Sequence, residues 1–93
     1  MASTNFGKYL AITADETYLE VLYNTQNRGY RIFGTFVGTV AIQIKRPDQA
    51  ASDYSTLTSV TAPDAGIIEL LGTYDIRIGT TAYTSGTVEV EIS

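Results

Sequence analysis

A seven-residue phrase occurs twice in this chain, as Gly38-Thr39-Val40-Ala41-Ile42-Gln43-Ile44 and again as Gly86-Thr87-Val88-Glu89-Val90-Glu91-Ile92. Each copy sets a glycine before a strict alternation of aliphatic and other residues. Successive side chains of a strand point to opposite faces, so this period of two marks a strand with one buried and one wet face. Val40, Ile42 and Ile44 share one face in the first copy, and Val88, Val90 and Ile92 share one in the second. Ile76 and Ile78, flanked by Asp75 and Arg77, repeat the pattern. These residues are the expected core.

The same reading extends along the chain. Strand-like runs lie at Lys8 to Thr13, Tyr18 to Tyr23, Tyr30 to Thr35, Thr39 to Arg46, Tyr54 to Val60, Ile67 to Leu71, Tyr74 to Gly79 and Thr87 to Ile92. Short strands at this spacing are the signature of an antiparallel sandwich or barrel. No segment reads as a helix; Ala14-Asp15-Glu16-Thr17 could open one turn, but the β-branched and aromatic residues after it favour extended structure. Ile67-Ile68-Glu69-Leu70-Leu71 is apolar at four of five positions, which implies cover on both faces, by the second sheet and a loop or by another subunit. Polar, glycine-terminated turns are expected at Asn24 to Gly29 and Tyr83 to Gly86, and Phe36-Val37-Gly38 is short enough to close a hairpin. Pro47 to Asp53 and Thr61 to Gly66 are the long connections, of the kind that Greek-key sandwiches use to pass between sheets.

Ninety-three residues make a single domain, read as an N-terminal arm over residues 1–7 and one β-sandwich domain over 8–93. A core of this size leaves little stability in reserve. With no cysteine and no histidine, the chain lacks disulfides and the usual zinc ligands as reinforcement, and self-association is the remaining common device. Met1 to Asn5 has neither the basic nor the apolar region of a secretory signal, and no apolar run approaches the roughly 20 residues of a membrane helix, so synthesis in a cytoplasm and no membrane partner are expected.

Chemistry is thinly represented. The absence of His and Cys removes most machinery of nucleophilic and metal-assisted catalysis, and the reading is a protein without enzymatic activity and without a cofactor. Glu89 and Glu91 lie two apart on one strand and so share a face, but that face is the wet one, where a general acid gains no raised pKa. Asp15-Glu16 and the stretch Asp48 to Asp53 match no calcium-loop spacing. Ten acidic residues against six basic ones give a net charge of −4, which disfavours nucleic acid as a partner. Lys45-Arg46 is the only adjacent basic pair, beside Pro47 at the entrance of the longest loop. Such a pair more often marks plain solvation at a turn; the alternative is electrostatic contact with a partner. The seven tyrosines are scattered over most strands, where cross-strand packing accounts for them, although tyrosine enrichment also suits a surface for protein or sugar.

Tyr30-Arg31-Ile32-Phe33-Gly34-Thr35-Phe36-Val37-Gly38-Thr39-Val40-Ala41-Ile42-Gln43 resembles a pattern of small virion proteins of tailed bacteriophages, in which Gly-Thr-aromatic-x-Gly-Thr-Val runs into an apolar-x-Gln strand. Tyr74 to Ile78, followed by Tyr83-Thr84-Ser85-Gly86-Thr87-Val88-Glu89-Val90, looks like the companion motif. Both are hairpin chemistry and offer no catalytic side chain. The middle departs from the pattern: related sequences often carry Asp-Gly and a tryptophan, where this chain has Pro47 to Asp53 and then Tyr54.

The resemblance implies an all-β, antiparallel, jelly-roll-like β-sandwich of about eight short strands. It further implies a capsid decoration or cement protein on the outer surface of the virion head, with the major capsid protein as partner and a homo-oligomer as its form; a trimer is expected because capsid lattices offer three-fold positions. The partner-binding residues expected on this reading are Ser3, Thr4, Asn5 and Phe6 of the arm and Lys45, Arg46, Asp48 and Gln49 of the long loop. The alternative is a fibre- or tail-associated carbohydrate-binding module, which an aromatic row on an exposed sheet face would favour.

Overall fold

A computed structural model describes residues 8–93. Eight strands run in the order β1 (Lys8–Ile12), β2 (Tyr18–Asn24), β3 (Arg28–Phe33), β4 (Phe36–Lys45), β5 (Ser55–Val60), β6 (Asp64–Ile68), β7 (Tyr74–Gly86) and β8 (Val88–Ile92), with one 3-10 turn at Ala51–Asp53 before β5. They form two four-stranded sheets, β1-β8-β3-β6 and β2-β7-β4-β5, and every pairing is antiparallel. This interleaved order, with chain neighbours in opposite sheets at every step except β4 to β5, is a jelly roll: an all-β sandwich closed by two Greek keys.

The core lies where the alternation puts it. Val40, Ile42, Ile76, Ile78, Val88, Val90 and Ile92 are buried between the sheets, joined by Ile12, Leu19, Ile32 and Ile68, while Ile44 is partly covered at the margin. A β-branched aliphatic side chain at most inner positions fills the space between the sheets, and the buried Thr80 hydroxyl is satisfied by donating to the Ala14 carbonyl at 2.7 Å.

The repeated phrase folds differently in its two copies. Gly86, at φ +91°, is the turn between β7 and β8, whereas Gly38 lies inside β4 at a register slip against β7. The turn that corresponds to Gly86-Thr87 is Gly34-Thr35, with Gly34 at φ +97°. These two Gly-Thr turns cross between the sheets side by side, tied by Thr87 N–H donating to the Thr35 carbonyl at 2.8 Å. A Cβ on Gly34 would strike the Thr87 carbonyl and one on Gly86 the Thr35 carbonyl. Glycine is required twice here, by backbone angle and by space.

Several local expectations are corrected. Phe36-Val37-Gly38 closes no hairpin, because β3 and β4 belong to different sheets and these residues begin β4. Tyr83 to Gly86 is not a loop but the last stretch of β7, paired with Phe36 to Gly38. The long Pro47 to Asp53 connection joins neighbours within one sheet rather than crossing between sheets. β6 begins earlier than its apolar run, so Ile68 is buried and Leu70 partly packed against the core, while Ile67 and Leu71 stand 68% and 97% exposed in the single chain.

Candidate attachment surface

Alternation on β7 sends Ile76 and Ile78 inward and Asp75 and Arg77 to the outer face of β2-β7-β4-β5. Asp75 is nevertheless buried, at 4% exposure. The cause lies on β2, whose register against β7 slips between Val21 and Asn24, so that Leu22 and Tyr23 form a bulge opposite Asp75. Tyr23 takes the left-handed conformation, φ +51°, which costs a non-glycine residue about 1–2 kcal/mol. Asp75 holds it there: one carboxylate oxygen accepts the Tyr23 N–H at 2.9 Å, and the other accepts from Lys45 Nζ at 2.6 Å. The side chains of Lys45 and Asp75 are only 9% and 6% exposed. Burial by itself would raise the Asp75 pKa, but the Lys45 hydrogen bond, the Tyr23 N–H and the Lys45 charge outweigh it and hold the carboxyl below its ordinary value.

The loop after β4 closes over this pair. Its 3-10 turn delivers Tyr54, whose ring lies 5.5 Å from Lys45 Nζ. Along the same face, the Arg77 guanidinium is held between the rings of Tyr18 and Tyr54, at 4.0 and 4.2 Å, and Arg77 Nε donates to Gln43 Oε1 at 2.6 Å. The buried Tyr54 hydroxyl has no hydrogen-bond partner among the described residues, and burial, followed by the charges of Glu20 and Asp75, pushes its pKa up.

This locked frame ends in exposed apolar side chains. The bulge turns Leu22 and Tyr23 outward, 56% and 69% exposed. Asn24, beside them, is buried and pins the next turn: its Nδ2 donates to the Gln26 carbonyl at 2.6 Å and its Oδ1 accepts from Arg28 Nε at 2.7 Å. Pairing of Asn24 with Tyr74 and of Arg28 with Ile68 brings the β2–β3 and β6–β7 connections to the same end of the sandwich, and Leu71 projects from the second of them. Lys8, at the start of β1, is also at this end and donates to the Glu20 carbonyl at 2.8 Å.

The sequence-derived residues fall into three groups. Ser3, Thr4, Asn5 and Phe6 lie outside the described residues. Arg46 and Asp48 are exposed on a turn closed by Gln49 N–H to the Arg46 carbonyl at 3.0 Å; the Arg46 N–H donates in return to Gln49 Oε1 at 2.8 Å, so the Gln49 side chain serves the turn. Lys45 points the other way, into Asp75. The Lys45-Arg46 pair is therefore not a pair of surface charges, because the strand's alternation puts its two members in different environments.

Leu22 and Tyr23 carried no such expectation, whereas Leu71 ends the doubly apolar run for which cover by another subunit is one of the sequence readings. In the structure β2 breaks phase after Leu19 and Val21, the next inner residue being Asn24 rather than Tyr23, whereas in sequence Leu19, Val21 and Tyr23 alternate without a break and give no sign of the bulge. Nothing in the residue type Tyr announces a positive φ.

No known protein family and no curated protein sequence matches this chain. Among the described residues, no group of three or more Asp, Glu, His or Cys is placed to hold a metal ion.

Proposed function

We propose that this jelly roll is an adhesive virion component, a decoration or cement protein that binds the outside of a tailed-bacteriophage head and stabilises it without catalysis. The observation that carries the reading is the outward presentation of Leu22 and Tyr23, on a backbone strained at Tyr23 and held by a buried ion pair, with Leu71 exposed at the same end of the sandwich. Strained conformations persist where surrounding structure over-determines them and often accompany binding. Exposed apolar side chains on rigid supports also lose little conformational freedom when a partner covers them. The motif resemblance supplies the kind of partner, the major capsid protein. Binding to the assembled shell alone would stabilise it by mass action. A trimer is the form proposed, and sedimentation velocity checks it.

Co-sedimentation with undecorated heads tests attachment. Tyr23→Asn keeps a residue that tolerates positive φ and removes the ring, and Leu71→Ser alters a side chain that contacts almost nothing. Both variants, and Arg46→Glu, are expected to fold normally. The first two should need at least about tenfold more protein to decorate heads, the cost of losing an apolar anchor. Saturation of heads at wild-type concentrations by Tyr23→Asn combined with Leu71→Ser sinks the proposal. Lys45 is unsuitable as a probe, since its substitution strands Asp75.

A further inference from the structure

The opposite sheet carries a different surface. On the outer face of β1-β8-β3-β6, Tyr9 pairs with Glu91, Glu91 with Arg31, and Arg31 with Ala65, so these side chains stand in one cross-strand row. The next row holds Glu89 and Phe33. Arg31 leans over the Phe33 ring, 4.0 Å from its centroid, and beside it the small residues Gly29, Ala65 and Gly66 leave the sheet open, with the Tyr30 ring packed against Gly66 at the margin. The result is an open depression of about 440 Å³, lined among others by Tyr9, Arg31, Glu91, Ala65 and Gly66. That volume falls within the roughly 300–1,000 Å³ of small-molecule sites.

The lining selects a ligand class. Arg31 and Glu91 face each other at 3.8 Å with side chains 57% and 43% exposed, too far for a good hydrogen bond, so each keeps donors or acceptors to spare. Their opposite charges offset one another, and Lys8, the other charged side chain of the lining, turns its ammonium to the Glu20 carbonyl at 2.8 Å. Tyr9 is half-exposed, and its hydroxyl donates to Glu89 Oε1 at 2.6 Å, fixing the ring. Glu89 also pushes the Tyr9 pKa up, through that hydrogen bond first and then, after desolvation, through its charge. Tyr9 and Phe33 lie 6.3 Å apart, an aromatic pair on one exposed sheet face.

We infer that this depression is a binding site for a neutral saccharide. The C–H face of a sugar ring would lie against Tyr9, while neighbouring hydroxyls donate to the Glu91 carboxylate and accept from the Arg31 guanidinium. An aromatic wall beside a donor–acceptor pair with no net charge matches a polyhydroxylated, uncharged ring better than it matches a phosphate or an ammonium group. The inference is independent of the attachment surface, which lies on other residues.

Saturation-transfer NMR of the full chain tests it, with the methyl glycosides of mannose, galactose, glucose and N-acetylglucosamine as probes at millimolar concentration. Transfer to the ring protons of at least one probe is expected. For that probe, Glu91→Gln should weaken binding about tenfold, the worth of one charge-assisted hydrogen bond, and Tyr9→Ala should abolish transfer while Tyr9→Phe retains it. Because Tyr9, Arg31 and Glu91 face solvent, the variants should keep the wild-type melting temperature. Absence of transfer to all four probes overturns the inference. So does transfer that survives unchanged in both Glu91→Gln and Tyr9→Ala, since the sugar would then sit elsewhere. No heads enter this experiment, so its failure is distinct from failure of attachment.

Discussion

On the outer face of β2-β7-β4-β5, an arginine, two tyrosines and a lysine–carboxylate pair are shut against one another. On the outer face of β1-β8-β3-β6, an exposed arginine and tyrosine stand beside a half-buried phenylalanine and two half-buried carboxylates. Both sets contain a guanidinium over an aromatic ring at 4.0 Å. What differs is cover. The β2 bulge and the Tyr54 loop bury Lys45 and Asp75 to 9% and 6% exposure, whereas Arg31 and Glu91 retain 57% and 43%. Similar residues thus form part of the fold on one face, where water is excluded, and remain available to a ligand on the other.

The largest expected effect breaks the closed side. Lys45→Met leaves the Asp75 carboxylate buried without its cation, which should cost about 3–5 kcal/mol in denaturant unfolding. Combining it with Asp75→Asn removes both charges, and more than half of that loss should return. If Lys45→Met alone melts like the wild type, the pair is not buried in solution and the contrast between the faces fails.

The pH dependence follows from the same pair. Because the folded pKa of Asp75 lies below the ordinary 3.8, the stability it contributes is complete above that value and is lost as pH falls further, through the folded pKa. Urea midpoints followed into acid should therefore drop below about pH 4, and Asp75→Asn should flatten part of that decline. An unchanged acid limb in the variant would assign the loss to other carboxylates.

The alternation of β4, β7 and β8 made the core legible, because period two survives wherever one sheet face is buried. The eight strands and the sandwich class followed from it. The attachment surface was less legible. Lys45 and Arg46 read as one basic patch in sequence, yet consecutive strand residues face opposite ways, and only the tertiary position of Asp75 shows which of them is buried. Leu22 and Tyr23 were read as ordinary strand, since the bulge that exposes them depends on a carboxylate more than fifty residues away in the chain. The Tyr9, Arg31 and Glu91 row was equally hidden: it depends on the β1-β8-β3 order, which alternation alone does not fix.

A smaller effect isolates one atom of the closed face. The Tyr54 hydroxyl is buried without a partner among the described residues while its ring packs on Arg77. Tyr54→Phe keeps the ring and removes the unsatisfied group, so stability should stay within about 0.5 kcal/mol of wild type or rise slightly. A loss above about 1 kcal/mol would mean that the hydroxyl is hydrogen-bonded in solution. Tyr54→Ala separates the two contributions, since it also uncovers Lys45 and Arg77.

The smallest effect is the one that best sharpens the comparison. Arg31→Ala removes a guanidinium that stacks on the half-buried Phe33 and faces Glu91 at 3.8 Å, the two charged side chains 57% and 43% exposed. Exposed ion pairs contribute little, because each charge is already hydrated and ordering two long side chains consumes entropy. Unfolding free energy should therefore change by less than about 1 kcal/mol, most of it from lost cover over Phe33 rather than lost charge. Arg31→Met separates those contributions: it keeps an apolar chain over the ring, and its stability should return toward wild type while the guanidinium donors remain absent. A destabilisation as large as that of Lys45→Met would show that this open row is as structural as the closed one, and the division of the two faces into frame and binding surface would no longer stand.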